Sequence, residues 1–394
     1  MDESNDRPLS YGRQTIDADD RAAVDQVLQG DWLSQGPKIA EFEGALCGHF
    51  GAANAVVVSS GTAALHLASL TCDLQPGDRV ITSPLTFLAG VNCLRYCQAT
   101  PLFVDVDPMT QNIDLQQVED LLADAGRRKD VRGITAVHFA GMPLPMNALS
   151  RLADRYGLFF IDDASHGIGG RFRLRDGSYG VIGDGGHSTM TTCSFHPVKH
   201  LTTGEGGAIL TNDSARAERL RSLRNHGVTK NPDRFRLEPD GPWHHEMHEL
   251  GFNYRISDLQ CALGIRQLMK LDGWLARRGE LVANYRAALA QLPGVSFVEE
   301  EIGLQPAWHL FVALFEGPAT RLHVYKRLKE QGIHTQVHYM PVHLHPYYRE
   351  LLGARRGDFP HAEATYDRCL SLPLFPTMTD DDQGRVVEAL RGSL

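Results

Sequence analysis

The segment Val56–Ala68, with the sequence VVVSSGTAALHLA, decides the fold of this chain. An apolar strand runs directly into Ser-Gly-Thr and then into a helix-forming run. Free N–H groups and the positive end of the helix dipole would meet at this turn and form a binding site for an anion. Ligands of open α/β sheets bind at that edge of the sheet. A turn of small residues is equally common in ordinary packing, so the segment alone leaves both interpretations open.

Helices and short apolar strands alternate around this segment, from about residue 38 to residue 250. Alternation of this period predicts an α/β fold in which helices flank a mostly parallel central sheet. Strands that are apolar throughout are typical of such buried sheets. The predicted helices are Thr62–Thr71, Leu115–Leu122 and Asn147–Arg155. The predicted strands are Ala55–Val58, Arg79–Thr82, Thr100–Val104, Ile134–His138, Leu158–Ile161 and Ala208–Leu210.

The chain is predicted to comprise an N-terminal segment with a helix, a large domain and a C-terminal unit, with bounds 1–30, 31–256 and 257–394. The first ten residues are expected to be disordered, and a helix follows over residues 17–30. Residues 228–250 are interpreted as a loop of the large domain. The C-terminal unit begins with one long helix, Ser257–Leu289, N-capped by Ser257, and continues as a small α+β domain. Its expected strands lie near 308–315 and 333–337, and its expected helices near 319–331 and 379–391.

The charge of the chain argues against several classes of partner. The net charge is −9 at pH 7 and no basic run is present, so nothing predicts binding to nucleic acid or to an anionic membrane. The N-terminus lacks an apolar signal-peptide core and no stretch approaches ~18 apolar residues, so we expect a cytoplasmic protein. The seven cysteines follow no zinc or disulfide spacing, which predicts free thiols in a reducing compartment.

Lys199 stands apart from the other six lysines. It lies in Thr192–Gly207, a stretch with neither helical nor strand periodicity and with several glycines. A lysine in a partly buried turn can have a lowered pKa and act as a Schiff-base nucleophile. The spacing alone still favours a structural role for Lys199 over a catalytic one.

Two adjacent carboxylates, Asp162 and Asp163, end the apolar run that begins at Phe159, and His166 follows three residues after Asp163. A carboxylate at the end of a strand could stabilise a protonated ring nitrogen, and the histidine could approach the same ring from another side. Asp163 could equally serve as the N-cap of a helix. The pattern therefore indicates a functional carboxylate without excluding a structural one.

The eighteen histidines do not predict a metal site. Six of them lie close together, within residues 244–248 and 338–345, but neither group has the spacing His-Glu-x-x-His. The glycine-rich runs miss the dinucleotide-binding fingerprint, which argues against nicotinamide binding. The absence of a Gly-x-Ser-x-Gly turn argues against a serine hydrolase.

An anion cradle, a carboxylate after a strand and a lysine, in this order, meet the needs of pyridoxal phosphate. The chain resembles the sugar aminotransferases of the DegT/DnrJ/EryC1/StrS type, which are fold-type I pyridoxal-phosphate enzymes. The resemblance extends from Gly30-Asp-Trp-Leu-Ser-Gln-Gly36 to Leu372-Pro-Leu-Phe-Pro376. It implies a fold-type I transferase with a smaller α+β C-terminal domain. It also implies that pyridoxal 5'-phosphate is the cofactor.

The same resemblance implies roles for residues around the cofactor ring. Lys199 resembles the Schiff-base lysine that also moves the proton between cofactor and substrate. Asp163 resembles the partner of the pyridine nitrogen, and His166 the residue beside the ring near its phenolic oxygen. Phe87 resembles the aromatic residue that stacks on the ring. Lys199, Asp163 and His166 are therefore the expected catalytic residues.

The resemblance implies phosphate ligands as well. Gly61 and Thr62 would hold the phosphate through the backbone and the hydroxyl, and Ser194 would also bind it. Asn253 resembles an asparagine that reaches the phosphate of the neighbouring subunit. This last likeness implies a homodimer with shared active sites.

Three segments bear on the substrate, namely His196–Gly207, Gly241–Met247 and Gln336–Tyr348. They resemble the 4-aminotransferases of pseudaminic acid biosynthesis, although His244 and His245 stand where aromatic residues are expected. This likeness implies UDP-2-acetamido-2,6-dideoxy-β-L-arabino-hex-4-ulose as substrate and L-glutamate, converted to 2-oxoglutarate, as amino donor. The residues expected to contact the sugar are Trp243, His244, His338 and Tyr339.

Two alternatives remain open at this point. The first is an aminotransferase that acts on another keto-sugar nucleotide, such as UDP-4-keto-L-arabinose or a dTDP- or GDP-linked sugar. The second is a regulatory protein that binds pyridoxal phosphate without catalysis. The chain has no basic patch and no spare segment for signalling, which disfavours the second alternative.

Overall fold

The structure is a computed structural model that describes residues 7–394. Its strands are β1 (Asn54–Val58), β2 (Arg79–Thr82), β3 (Thr100–Phe103), β4 (Val131–Val137), β5 (Phe159–Asp163), β6 (Arg171–Arg173), β7 (Tyr179–Val181), β8 (Met190–Ser194), β9 (Gly207–Thr211), β10 (Val228–Thr229), β11 (Glu246–Met247), β12 (Val295–Phe297), β13 (Leu304–Gln305), β14 (Phe311–Phe315) and β15 (Cys369–Leu372). Its helices are α1 (Ala18–Leu28), α2 (Pro37–Phe50), α3 (Gly61–Leu70), α4 (Ala89–Tyr96), α5 (Leu115–Ala123), α6 (Met146–Tyr156), α7 (Ser214–Arg224), α8 (Asp258–Leu268), α9 (Leu271–Leu289), α10 (Pro318–Glu330), α11 (Pro346–Leu352), α12 (Pro360–Arg368) and α13 (Asp380–Arg391).

A seven-stranded sheet with the order β1-β9-β8-β5-β4-β2-β3 forms the centre of the fold. β9 is antiparallel to both of its neighbours, and the other adjacent pairs are parallel. The predicted α/β fold with a mostly parallel sheet is thereby confirmed. The carboxyl ends of six strands, among them β1, β5 and β8, therefore lie at the same edge of the sheet. In sheets of this kind the ligand site lies at this edge.

Successive residues of the sheet strands pack on opposite helical layers, because side chains alternate along a strand. In β1, Val57 joins a core cluster with residues of α2, α5, α6 and α8. Val56 and Val58 join another cluster with residues of α3, α4 and α7. Phe160 and Ile161 of β5 divide between the same two clusters. The sheet is therefore covered by helices on both faces.

The predicted single helix Ser257–Leu289 is wrong, because the chain forms α8 and α9 with a break between them. At the break, the Lys270 N–H donates to the Gln267 carbonyl, three residues back, at 3.1 Å. The Lys270 ammonium lies 2.6 Å from Asp17 and 2.8 Å from Asp20 at the start of α1. The turn thus places a cation against the acidic first turn of α1, a contact favoured by charge.

The C-terminal elements pack around their own apolar cluster, which joins residues of α9, α10, α13, β14 and β15. β12, β14 and β15 form an antiparallel sheet. The strand predicted near residues 333–337 is wrong: Ile333 and Gln336 each make only an isolated bridge, to Leu9 and Ser371. Ser257 is confirmed as the N-cap of α8, since its Oγ accepts the N–H of the residue three positions later.

The N-terminal segment is ordered where the structure describes it. The predicted disorder of the first ten residues falls outside the described residues for 1–6, and it is wrong for the residues that follow. Leu9 is buried and pairs with Ile333: its N–H donates to the Gly332 carbonyl at 2.8 Å, and its carbonyl accepts the His334 N–H at 2.7 Å. The helix predicted over residues 17–30 is present as α1, capped by Asp17.

The seven cysteines are free thiols, as the sequence predicts. Within the part of the chain that the structure describes, no helix combines the length and the apolar character needed to cross a membrane.

Candidate active site

The turn between β1 and α3 presents backbone N–H groups to a cavity at the ligand-binding edge of the sheet. Ser60 caps α3, because its Oγ accepts the Ala63 N–H at 3.1 Å. The N–H groups of Gly61 and Thr62 lie in the first turn and have no acceptor within the helix. Gly61 lies so near Ser194 that a Cβ on residue 61 would be 2.8 Å from Ser194 Cβ. The turn and the Ser194 hydroxyl together provide donors for an anion.

Asp163 ends β5 and lines the same cavity. Its Oδ1 accepts the Ser165 N–H at 3.0 Å, so Asp163 also caps the short turn that follows, as one interpretation of the sequence allows. Burial raises the pKa of Asp163, and the charge of Asp162 acts in the same direction. The hydrogen bonds from Ser165 and the charge of Lys199 oppose this shift. Asp163 is thus a carboxylate that a positively charged group in the cavity would stabilise.

Lys199 lies in an irregular turn between β8 and β9, where the sequence shows no periodicity. Backbone hydrogen bonds hold this turn: the Lys199 N–H donates to the His196 carbonyl at 2.9 Å, and the Thr203 N–H donates to the Phe195 carbonyl at 3.0 Å. Desolvation lowers the pKa of Lys199 to about 8, although the charge of Asp163 acts in the opposite direction. A larger fraction of Lys199 is therefore free amine near neutral pH than for an exposed lysine.

Neutral imidazoles and a phenol form one wall of the cavity. The Tyr339 hydroxyl lies 2.9 Å from His166 Nε2, and the two rings stack with centroids 5.9 Å apart. The His309 ring lies 4.6 Å from that of His166. His338 Nδ1 lies 2.8 Å from the Ser371 hydroxyl. Burial lowers the pKa of His166 and His309 well below the usual range and that of His338 to about 3, so these rings are uncharged near neutral pH.

These groups surround a cavity of about 570 Å³. Phe87, which is 58% exposed, stands on its rim with its ring centroid 6.0 Å from that of Tyr339. The sequence-predicted residues that line this cavity are Gly61, Thr62, Phe87, Asp163, His166, Ser194, Lys199, His338 and Tyr339. Residues from the first, second and last third of the chain therefore meet in one place.

The remaining predicted residues, Asn253, Trp243 and His244, do not line this cavity in a single chain. Asn253 is exposed, and the Trp243 side chain is 72% exposed. His244 lies in hydrogen-bond contact with Asp240 at 3.0 Å and with Glu246 at 3.3 Å.

A buried carboxylate explains why the segment of Trp243 folds as a separate loop. Glu246 accepts the N–H groups of Arg236 and Leu237, each at 2.7 Å, and also lies 2.6 Å from His248 Nε2 and 3.3 Å from His244 Nε2. These bonds close the loop on itself and leave the indole of Trp243 in contact with solvent.

Several residues that line the cavity escape the sequence argument. Tyr11 lies beside His338, with ring centroids 5.2 Å apart, and His309 lies beside His166. Neither belongs to a recognisable motif, so no signal in the sequence indicates them. Others that line the cavity are His196, Glu205 and Gln336, which lie in segments quoted above for their likeness to sugar aminotransferases.

The donor set fits pyridoxal phosphate. The N-terminus of α3 suits a phosphate, Asp163 suits a ring nitrogen that carries a proton, and Lys199 suits an aldehyde. His166 Nδ1 is buried and has no hydrogen-bond partner among the described residues, as expected for a polar atom that meets a ligand. No group of three or more histidine, cysteine or acidic side chains within residues 7–394 is placed to hold a metal ion.

The sequence model of the DegT/DnrJ/EryC1/StrS aminotransferase family matches residues 14–391. The chain belongs to this family. It is 39% identical over 389 residues to the spore coat polysaccharide biosynthesis protein SpsC of Bacillus subtilis. The aligned region covers 97% of this chain and 96% of SpsC. Enzymes of the family are sugar aminotransferases that depend on pyridoxal phosphate, and this chain is therefore a pyridoxal-phosphate-dependent sugar aminotransferase.

Solved structures agree with this assignment. PseC of Helicobacter pylori, an aminotransferase involved in the biosynthesis of pseudaminic acid, is 27% identical and superposes with a TM-score of 0.88 over 98% of this chain and 99% of PseC. DesV of S. venezuelae is 33% identical, with a TM-score of 0.84 over 95% of this chain and 94% of DesV. The fold-type I architecture expected for this sugar aminotransferase is thus confirmed.

Proposed function

We propose that this sugar aminotransferase moves an amino group from L-glutamate to the keto group of a sugar linked to a nucleotide. The observation that supports the site is the convergence of Lys199, Asp163 and the N-terminus of α3 on one cavity. Aldehyde, ring nitrogen and phosphate of the cofactor each need one of these three groups.

When bound, pyridoxal phosphate supplies an electron sink that makes the carbon bearing the amino group acidic. The N–H groups of Gly61 and Thr62 and the Ser194 hydroxyl would hold the phosphate, and Asp163 would pair with the ring nitrogen. Lys199 would bind the aldehyde and, as a free amine, would move a proton between carbons of cofactor and substrate. A pKa of about 8 suits this task, because the amine exchanges protons readily near neutral pH.

The aromatic and imidazole groups of the cavity orient the cofactor and the sugar. Phe87, on the rim of the cavity, would cover one face of the cofactor ring and exclude water from it. His166, which is neutral and is oriented by Tyr339, would lie near the phenolic oxygen of the cofactor. His338 and Tyr339 line the cavity and would exchange hydrogen bonds with hydroxyl groups of the sugar.

The substrate is proposed to be UDP-2-acetamido-2,6-dideoxy-β-L-arabino-hex-4-ulose, which would be aminated at C4 to give a precursor of pseudaminic acid. Two observations support this choice. The segments His196–Gly207 and Gln336–Tyr348 resemble the 4-aminotransferases of that pathway, and both contribute to the cavity wall. The overall structure is also similar to PseC, with a TM-score of 0.88.

A second candidate is amination of a different keto-sugar nucleotide for a surface polysaccharide. The 39% identity to SpsC over nearly the whole of both chains favours it. The chemistry of Lys199 and Asp163 would be the same, and only the sugar and its nucleotide would differ. A panel of keto-sugars therefore separates the two candidates.

The enzyme is also proposed to work as a homodimer with shared sites. Lys199 is the only lysine or arginine that lines the cavity among the described residues, whereas Asp163 and Glu205 bring negative charge. A cofactor phosphate, a nucleotide diphosphate and a donor dicarboxylate all need cations or further N–H donors. A second copy could supply N–H donors from Asn253 and from Trp243, each of which is exposed in the single chain.

The proposed reaction is tested by absorbance spectra of the purified protein loaded with pyridoxal phosphate. Addition of L-glutamate should convert the visible band of the lysine-bound cofactor into a near-ultraviolet band, and each keto-sugar should then be offered to the converted enzyme. Return of the visible band with UDP-linked 4-keto-L-hexosamine supports the proposed substrate. Return only with another keto-sugar nucleotide favours the second candidate, and a spectrum that glutamate leaves unchanged rules out glutamate as donor. The variant Lys199→Ala is the matched control and should give no lysine-bound band.

A further inference from the structure

Asp162 is a buried carboxylate next to the site that the proposed reaction does not use. It has no exposed surface and does not line the cavity. One of its oxygens is hydrogen-bonded to His138 Nε2, and the other accepts the Thr191 hydroxyl at 3.1 Å. The Thr191 hydroxyl can in turn accept from Ser188 Oγ, 3.2 Å away. Both oxygens of Asp162 therefore act as acceptors, which is the pattern of an ionised carboxylate.

The backbone holds His138 in its neutral form. His138 Nδ1 accepts the N–H of Leu144 at 2.9 Å, so this nitrogen cannot carry a proton of its own. The single ring proton is therefore on Nε2, where it is donated to Asp162. An imidazolium would have opposed the charge of Asp162, but a neutral imidazole does not. The pair of Asp162 and His138 consequently carries a net charge of about −1 in the interior.

Asp162 lies in β5, and His138 lies next to β5 and the turn that follows it, which carry Asp163 and His166 of the candidate active site. Asp162 and Asp163 are successive residues of β5, so their side chains lie on opposite faces of the sheet. The His138 N–H donates to the Asp163 carbonyl at 3.3 Å. His138 also packs against the turn after β5: a Cβ on Gly167 would lie 2.6 Å from His138 Cβ. Asp162 is thus fixed directly behind the carboxylate that faces the cavity, and its charge acts on Asp163.

We propose that Asp162, which accepts hydrogen bonds from His138 and Thr191, is a positioning residue that places a second buried negative charge behind Asp163 and thereby keeps the ring nitrogen of pyridoxal phosphate protonated. This inference rests on the proposed role of Asp163. Two negative charges favour a pyridinium more than one does, because charges interact over several ångströms where water is excluded. A protonated ring is the better electron sink, so the second charge supports the reaction without touching the cofactor.

The test measures protonation of the ring directly, by ¹⁵N NMR of holoenzyme loaded with ¹⁵N-labelled pyridoxal phosphate over a range of pH. Asp162→Asn removes the charge and keeps the shape, and its amide oxygen can still accept from His138. Coulomb's law with an effective dielectric constant of ~20 gives a decrease of about one pH unit in the apparent pKa of the ring nitrogen for a charge ~10 Å away. Thr191→Val is the matched control, because it removes one hydrogen bond to Asp162 but leaves the charge. A titration in Asp162→Asn that coincides with that of Thr191→Val overturns the proposal.

A third variant separates this inference from the proposed function. Asp163→Asn removes the direct partner of the ring nitrogen and should change its protonation more than Asp162→Asn does. If Asp163→Asn leaves the ring nitrogen as in the wild type, the role of Asp163 is wrong. If Asp163→Asn has its effect and Asp162→Asn has none, only the role of Asp162 is wrong.

A measurement on the wild-type protein applies even where Asp162→Asn fails to fold. The ¹⁵N and ¹H shifts of the His138 ring report its tautomer and its charge. A neutral ring with its proton on Nε2, throughout the pH range in which the holoenzyme is stable, supports the proposal. An imidazolium would cancel the charge of Asp162 and overturn it.

Discussion

The Tyr339 hydroxyl lies 2.9 Å from His166 Nε2 and joins two residues that are 173 positions apart in the chain. His166 belongs to the turn after β5 in the central sheet, whereas Tyr339 belongs to the C-terminal elements. Burial lowers the pKa of the imidazole and raises the pKa of the phenol, so both groups are neutral near pH 7. One hydrogen bond between neutral groups therefore sets the orientation of His166 in the cavity.

Tyr339→Phe should weaken catalysis while leaving the fold intact. The change leaves buried His166 Nε2 without its partner, which costs about 1–3 kcal/mol. His166 would also lose the orientation that the hydroxyl gives it, and a loss of ~1.4 kcal/mol of transition-state stabilisation lowers the rate tenfold, so we expect kcat to decrease about tenfold. Steady-state kinetics with the accepted keto-sugar measures this decrease. Tyr347→Phe is the control, since Tyr347 is 57% exposed and does not line the cavity. Equal kcat in the two variants would show that the bond to His166 has no role in catalysis.

The cofactor-free protein should show Lys199 as its most reactive lysine near pH 8. Desolvation lowers the pKa of Lys199 to about 8, so the free amine becomes the major form as the pH rises through that value. Lys270 provides an internal comparison. Partial burial acts to lower its pKa, but hydrogen bonds to Asp17 and Asp20 outweigh that effect and raise it. Pulse labelling with an amine-specific acylating reagent, followed by peptide mass spectrometry, gives the extent of modification at each pH. Parallel labelling profiles of Lys199 and Lys270 would contradict this prediction.

Gly61→Ala should weaken cofactor binding. The added Cβ would lie 2.8 Å from Ser194 Cβ, so the turn must move, and with it the N–H groups proposed to hold the phosphate. Overpacking costs about 1–3 kcal/mol, and ~1.4 kcal/mol is tenfold in Kd, so we expect the Kd of pyridoxal phosphate to rise about tenfold or more. Gly44→Ala, on the exposed side of α2 with nothing within 4 Å of the new Cβ, should leave this Kd unchanged. Fluorescence or absorbance titration of the cofactor-free proteins measures both values, and an unchanged Kd in Gly61→Ala would remove this turn from the phosphate site.

The sequence predicts the position of a sheet strand well where that strand is a continuous apolar run. The bounds predicted for Arg79–Thr82 are those of β2, and Ala55–Val58 differs from β1 by one residue. β8 is not predicted, because its sequence Met190-Thr-Thr-Cys-Ser194 is half polar and gives no apolar signal. The threonines are buried all the same, and Thr191 is satisfied by hydrogen bonds that only the folded sheet supplies. A polar strand cannot be predicted from sequence periodicity when the residues that form hydrogen bonds with its side chains lie elsewhere in the chain.

Some residues of the candidate site can likewise be predicted from the sequence, and others cannot. Asp163, at the end of a predicted apolar strand, is predictable because parallel strands end at one edge of the sheet. Ser194 ends a strand that is not predicted, so only the resemblance to a family indicates it. Tyr11 lies in the cavity because the N-terminal segment pairs with the C-terminal elements, and His309 because its N–H donates to the Ala140 carbonyl at 2.9 Å. The resemblance to a family indicates Asn253, yet a single chain leaves that residue exposed on a different surface. Tertiary packing, which no local pattern contains, decides the positions of Tyr11 and His309.

Mixing two inactive variants should restore activity if the sites are shared between subunits. Lys199→Ala should abolish turnover, because no other amine lines the cavity among the described residues, and Asn253→Ala should lose most of the affinity for the cofactor if this residue reaches the phosphate of the partner. A mixed dimer then combines both defects in one site and leaves the other site intact. With free exchange of subunits about half of the dimers are mixed, so we expect about one quarter of the wild-type activity. Lys199→Ala mixed with Asp163→Asn is the control: both residues line the cavity of the same chain, so every site stays defective and no activity should return. Recovery in the control as well, or in neither mixture, would show that Asn253 does not serve the active site of a neighbouring subunit.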